Sequence, residues 1–384
     1  MKRLLALLLL LALLCGCSGQ TASSEAPPPA PEEAYVPPPP PEAPPEKPVE
    51  ESEPEPLIEV ILTPEEADGL LSPGEGGIYA ITTAEELFAF AVLVNGADDA
   101  RAVSARIEND IDLAGLSFIP IGTEETPYRG YFDGGGHILR GLTVRTEGDF
   151  AGLFGRIASG GRVENTHIIG GSVNGLNMVG GIAGQCQGEI FACSFRGTVV
   201  AAGTHAGGIC GELGREAPDT DAGTMRQCAA NAELTGGSLT GGLAGSAVVG
   251  SIVSDCYARG SVTVDAQGES RPEMIGGLIG YANGEISNCL TSLELYTRTE
   301  SRMVGAFIGS LESGLLDSCY YNLEPVENWK GVGDASGDEE TPGLRACTVE
   351  EITEGSTFEG WDFEEVWSIE EGQNRGLPYL RVLM

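Results

Sequence analysis

The 384 residues exceed what one ordinary domain needs and leave ample chain for a buried core. Formal charge is −36, from 57 acidic against 21 basic residues, so the surface repels phosphate backbones and anionic lipid, and nucleic acid is excluded as a partner. Glycine reaches 56 residues without a three-residue period, which rules out a collagen-like chain.

From the N-terminus, Lys2 and Arg3 precede an apolar run from Leu4 to Leu14. The run is shorter than the roughly 20 residues a membrane-spanning helix needs, which marks residues 1–16 as a secretory signal peptide. It closes on Leu14-Cys15-Gly16-Cys17, a stretch that resembles the bacterial lipobox. That resemblance implies cleavage after Gly16 and diacylation of the Cys17 thiol, a lipid attachment holding the chain on the outer side of a bacterial membrane. Residues 17–56 then read as a linker. Between Glu25 and Pro56, 14 prolines and nine glutamates stand against one lysine, which predicts a disordered, extended spacer. At about 3.1 Å per residue such a tether reaches on the order of 100 Å.

Residues 57–150 read as an N-terminal cap followed by the first coils of a solenoid. Ala84–Val94 carries the one long helical pattern, with Thr83 as N-cap and Glu86 placed for a capping box, and is assigned as the lid. Residues 151–322 repeat. A Gly-Gly-apolar-x-Gly core recurs, with variations in the first and last copies, at 151–155, 180–184, 207–211, 241–245, 276–280 and 305–309, the last glycines being 29, 27, 34, 35 and 29 residues apart. A second element follows each core, ending at Thr166, Cys193, Cys228, Cys256, Cys289 and Cys319. The intervening segments are short and alternating, as in Ser261-Val-Thr-Val264, and read as strands. A period near 30 with several short strands per copy predicts a parallel β-helix, coils stacking at about 4.8 Å. Glycine recurs either because a tight corner needs positive φ or because no Cβ fits. Leu153, Ile182, Ile209, Leu243, Leu278 and Phe307 would stack inward.

The repeated core resembles the GLUG motif family of bacterial surface proteins, which includes adhesin-like proteins and the non-catalytic regions of some M26-type immunoglobulin A peptidases. Ile81–Phe90, Asn109–Leu113, Pro120–Gly122 and Phe132–His137 are similar to the leader of such repeats, and Phe358–Phe363, Trp367–Ile369 and Pro378–Leu380 to their closing segment. Over residues 78–384 the resemblance implies an all-β, right-handed parallel β-helix; by itself it implies no reaction. Residues 323–384 read as an acidic loop, Asp334–Glu340, and a C-terminal lid from Leu344 with a short helix near Val349–Thr353 and two tryptophans, Trp361 and Trp367.

Few residues suggest chemistry. Beyond Cys17, eight cysteines remain at 186, 193, 210, 228, 256, 289, 319 and 347. Five share one repeat position, where stacked Cβ atoms lie farther apart than the ~3.8 Å of a disulfide, so a ladder of buried thiols is expected, a bridge through Cys186 being the alternative. No C-x₂-C pair, H-E-x-x-H, G-x-S-x-G or Walker lysine occurs. His137, His167 and His205 are the whole histidine supply, and His137 and His205 read as turn or coil residues. Asp110 with Asp112, and Asp219 with Asp221, are the acidic pairs, with no spacing that argues a shared cleft.

No catalytic, cofactor-binding or metal-ligating residue is therefore assigned. The role expected is that of a lipid-anchored, extracytoplasmic, monomeric surface protein with a non-enzymatic binding or adhesion function toward an extracellular protein or glycan. The loops Gly214–Met225 and Asp265–Glu273 are the expected recognition elements. A carbohydrate-active enzyme, lyase or hydrolase, and a purely structural spacer are the rivals. An exposed aromatic row or an acidic cleft would favour sugar binding or cleavage.

Overall fold

The computed structural model describes residues 56–96, 100–215, 222–264, 273–297, 301–326, 329–334 and 341–383. The signal peptide, Cys17, nearly all of the tether, Asp219, Asp221, most of the acidic loop and the central parts of the two expected recognition loops, residues 216–221 and 265–272, lie outside the described residues. Within them the chain is a parallel β-solenoid of three stacked sheets: sheet A with 12 strands, sheet B with nine and sheet C with 11. One representative coil runs Val179–Gly180 and Ala183–Cys186 in sheet C, Glu189–Phe191 in sheet B and Ser194–Ala201 in sheet A. Residues 57–150 supply the first coils of sheets A and B, beginning with Ile58–Glu59 and Ile78–Ile81.

The glycine cores lie in sheet C, and the reason for them is space. A Cβ on Gly180 would meet Ala183 O at 2.3 Å and Cys210 Cα at 2.7 Å; on Gly276 it would meet Ile279 O at 1.9 Å. These glycines do not carry positive φ. Left-handed backbone falls instead on two ladders of other residues. Phe150, Met178, His205, Leu239, Met274 and Met303 turn the chain into sheet C, while Asn165, Ala192, Gln227, Asp255, Asn288 and Ser318 turn it from sheet B into sheet A. Asn and Asp tolerate that conformation best. Two of them join neighbouring coils, Asn165 Nδ2 donating to Asp133 at 3.0 Å and Asn288 Nδ2 to Asp255 at 3.2 Å.

Leu153, Ile182, Ile209, Leu243, Leu278 and Phe307 are fully buried in one continuous core, as the repeat predicts. The lid α2, Ala84–Gly96, runs two residues beyond the expected helix and buries Leu87, Phe88, Phe90 and Val94 in the open N-terminal end. Its capping box is formed: Glu86 accepts from Thr83 N at 3.1 Å and Thr83 Oγ1 from Glu86 N at 3.2 Å. A short helix α1, Pro64–Leu70, with its own box between Thr63 and Glu66, packs against α2. The signal for it, Thr63-Pro-Glu-Glu66, stands in the sequence.

The C-terminal lid departs from expectation. Leu323, Val326, Trp329, Val332 and Leu344 join the main core at its last coils. Leu344–Cys347 is the final strand of sheet A, and α3, Val349–Ile352, follows with Thr348 and Glu351 as its box. Trp361 and Trp367 do not close the end; they turn back along the outer face of sheet A and pack on Ala229, Leu290 and Tyr320 in a second core. Trp367 Nε1 donates to Asp255 Oδ1 at 3.2 Å, and Trp361 Nε1 to Ser318 O at 2.8 Å. The physical reason is that the outward row Ala229–Tyr257–Leu290–Tyr320 is itself apolar and needs a cover.

Candidate functional site

The residues considered for chemistry resolve into structural roles. All eight described cysteines are buried and free. In the five-membered ladder each thiol donates to the carbonyl two residues back, Cys193 to Phe191 O at 3.2 Å and Cys256 to Ser254 O at 3.1 Å. Thr166 Oγ1 does the same at 2.9 Å, so the position selects for a small side chain with a donor. Burial pushes the thiols of Cys193, Cys228, Cys256 and Cys289 up, and outside the ladder it raises Cys186 to about 12 and Cys347 to about 11. His205 sits on a left-handed ladder with Nδ1 2.9 Å from Thr204 Oγ1, and burial lowers it to about 4. His167 Nδ1 lies 3.1 Å from Ser194 Oγ. Asp110 accepts from Ile138 N at 3.0 Å and pairs with Arg140 at 3.3 Å and His137 at 3.6 Å, whereas Asp112 accepts from Ala114 N. The two aspartates thus hold separate turns. Asp334, exposed at the start of the acidic loop, accepts from Ser310 Oγ at 2.6 Å and Leu311 N at 3.2 Å.

Sheet B carries carboxylate–arginine pairs, Arg162 with Glu164 and Glu189 at 2.6 Å, and sheets C and A each carry a further polar ladder. On sheet C, Arg156, Gln185, Glu212 and Ser246 stack in register but are 7%, 3%, 7% and 2% exposed, and Arg156 is held by Gln185 at 2.8 Å and Glu124 O at 3.2 Å, so this ladder is sealed. The other ladder is open. Sheet A points outward a row Arg140–Ile169–Arg196–Asn231–Arg259–Ser292, continued by Asn322, which donates to Ser292 Oγ at 3.0 Å. The next outward row is Ser172–Thr198–Glu233–Ser261–Glu294. Between this face and the returning C-terminal segment lie two adjoining hollows of about 450 and 470 Å³. Both are lined by Asn231, Gly260, Glu294 and Arg375, the first also by Arg259, Ser292 and Asn322.

Gly260, at φ +108°, lines both hollows, and a Cβ there would meet Ala232 O at 2.1 Å. The groove wall opposite is the turn Asn374-Arg375-Gly376, all three residues left-handed. Arg259 Nη1 donates to Asn374 O at 3.3 Å and also bonds the Asn374 side chain. Burial and the neighbouring Arg375 lower the Arg259 guanidinium. Tyr296 is the single exposed aromatic among the described residues, so no aromatic row lines the face. Sequence reading missed this site, because its arginines belong to different coils and to the closing segment.

The chain is thus a parallel β-solenoid with a polar, arginine-bearing groove along one sheet. No family model matches it. Halomucin of Haloquadratum walsbyi is 31% identical over 131 residues, a match spanning 31% of this chain and 1% of halomucin. A crystal structure from Bacteroides ovatus, of a protein provisionally named an immunoglobulin A1 protease, superposes with a TM-score of 0.62 at 23% identity, covering 81% of this chain and 94% of that one. This likeness shows the fold.

Proposed function

We propose that this protein is a lipid-anchored, extracytoplasmic surface protein of a bacterium, whose solenoid binds an extracellular ligand without transforming it. The observation that carries this reading is the open groove on sheet A, where polar side chains from consecutive coils stand in register behind a fixed wall. Such a surface suits recognition of an extended ligand. The lipobox ending at Cys17 and the acidic proline tether support presentation away from a membrane, and the glycine cores support kinship with GLUG-repeat surface proteins. Replacing Cys17→Ser should release the protein into the medium; retention in the membrane fraction would end the anchor reading.

One observation favours a second reading, a carbohydrate-active enzyme: Glu233 and Glu294 line the same hollow two coils apart. Paired carboxylates with room for a sugar between them are the machinery of glycoside hydrolysis. Arrays of glycans and matrix proteins probed with the soluble protein, coupled to an assay for new reducing or unsaturated ends, separate the two. Retention without cleavage supports binding; reproducible bond cleavage overturns it.

A further inference from the structure

In a chain of net charge −36, the groove is locally balanced: Arg259 and Arg375 stand with Glu294 and Glu324 in the first hollow, and Arg196 and Arg375 with Glu233 and Glu294 in the second. On the outward row of sheet A arginine recurs on every second coil: Arg140, Arg196, Arg259. Arg140 is neutralised by Asp110 at 3.3 Å. Arg196, Arg259 and Arg375 have no carboxylate ion pair among the described residues. Arg375 and Arg259 line the same hollow, and Arg375 is held there by backbone at φ +59°, a conformation uncommon for a side chain of that size. Two guanidiniums without a carboxylate ion pair, apposed at the cost of backbone strain, are a poor arrangement for stability and a good one for gripping an anion.

Spacing narrows the ligand. Arg196 and Arg259 are two coils apart, about 10 Å at ~4.8 Å per strand. An extended acidic peptide presents same-side carboxylates about 6.7 Å apart, out of step with that row. A linear polysaccharide with one uronate in each disaccharide presents them one disaccharide apart, in step with two coils. Between and beside the arginines stand Asn231, Ser261, Ser292 and Asn322, donors and acceptors of the kind that bind sugar hydroxyls.

We propose that the groove binds a linear carboxylated polysaccharide with one uronate per disaccharide, lying along the solenoid axis, with one carboxylate between Arg259 and Arg375 and the next on Arg196. The proposal rests on the binding role above and names its ligand class. Glu233 and Glu294 then face hydroxyl-bearing edges of the sugars, and the acidic remainder of the molecule weakens long polyanions relative to short ones.

The test is calorimetric titration of the soluble Cys17→Ser protein with hyaluronan and unsulfated chondroitin octasaccharides, with a carboxyl-reduced hyaluronan octasaccharide, and with octaglutamate. At least one uronate octasaccharide should bind, with the reduced sugar and the peptide at least tenfold weaker. Arg259→Gln and Arg375→Gln should each weaken binding at least tenfold. The exchange R196N with N231R keeps net charge but puts two arginines on adjacent coils; both positions are exposed, so thermal melting should hold while affinity falls. Equal binding of the reduced sugar or of octaglutamate, an exchange variant that binds like the parent, or no binding of either uronate octasaccharide would overturn the proposal. A matrix protein captured equally by the parent and by Arg259→Gln would do the same while leaving the surface-binding role intact.

Discussion

Gly241→Ala tests the packing account of the repeat. A Cβ at Gly241 would lie 2.2 Å from Ala244 O in its own coil, 2.6 Å from Ile279 Cα and 2.7 Å from Gly280 N in the next. All three atoms are backbone, so no side chain can rotate away, and relief requires two hydrogen-bonded coils to separate. Overpacking a core costs about 1–3 kcal/mol where side chains give way; with backbone on both sides, about 3 kcal/mol or more is expected. For a urea dependence of about 3 kcal/mol/M the midpoint falls by about 1 M. Gly69→Ala is the paired control. Gly69 sits in α1 with nothing within 4 Å of the added atom, and alanine is better than glycine in a helix by about 0.5–1 kcal/mol. The same chemical change should thus stabilise at one site and destabilise at the other. Urea unfolding of the soluble Cys17→Ser protein, followed by far-ultraviolet circular dichroism, reads both. Because coil arrays can lose cooperativity, the Gly241→Ala loss is also visible as a separate early phase. A Gly241→Ala curve superimposable on the parent would refute steric exclusion as the cause of the glycine period.

The buried thiols should resist Ellman's reagent in the native protein and react on unfolding. The raised values of Cys186 and Cys347 keep protons bound in the folded state that the unfolded chain releases near pH 8.5, so their contribution is intact below that pH and is lost as pH climbs toward the folded values, about 11 for Cys347 and 12 for Cys186. A urea midpoint unchanged between neutral pH and pH 10.5 would contradict this burial. His205 acts at the other end: lowered to about 4, its contribution is present above the unfolded value near 6.5 and lost as pH falls. His205→Leu, the residue at the equivalent Leu239, should reduce the stability lost between pH 7 and pH 5 by about 1–2 kcal/mol, as measured by urea midpoints at both. Trp367→Ala removes a fully buried side chain from the second core, a loss of about 3–5 kcal/mol, and should expose residues after Thr348 to protease while the solenoid keeps its dichroism.

The solenoid was legible because its physics repeats. A glycine that must be a glycine, an inward apolar residue two positions on and a small donor at the end of the second element return at each coil, and six copies raise that pattern above the noise of any one. The lid α2 was legible for a local reason, its capping box and apolar face. What repetition could not supply was the cause of the glycines. Close approach and positive φ predict the same residue type; the structure separates them by putting left-handed φ on Met178, Leu239 and Asn288 and leaving the core glycines ordinary in φ. The closing segment misled because its helix and tryptophans were visible while the surface needing them was not: Ala229, Tyr257, Leu290 and Tyr320 form an apolar outward row only once the coils are in register.

The groove was hidden for the same reason, carried further. Arg196 and Arg259 are 63 positions apart with an asparagine rung between them, and the variable coil lengths, 27 to 35 residues, remove any fixed spacing that a sequence search could detect. Arg375 reaches them from more than 100 residues downstream through the Arg259 bond to Asn374 at 3.3 Å. The ladder that is easy to read in such a protein is the inward one, because every coil must satisfy it. The outward ladder is free to vary from coil to coil, and so its departures from variation carry information: arginine on alternate rungs, with Arg196 and Arg259 lacking a carboxylate ion pair among the described residues, is a spacing that packing does not require and that an axial ligand of matching repeat would select.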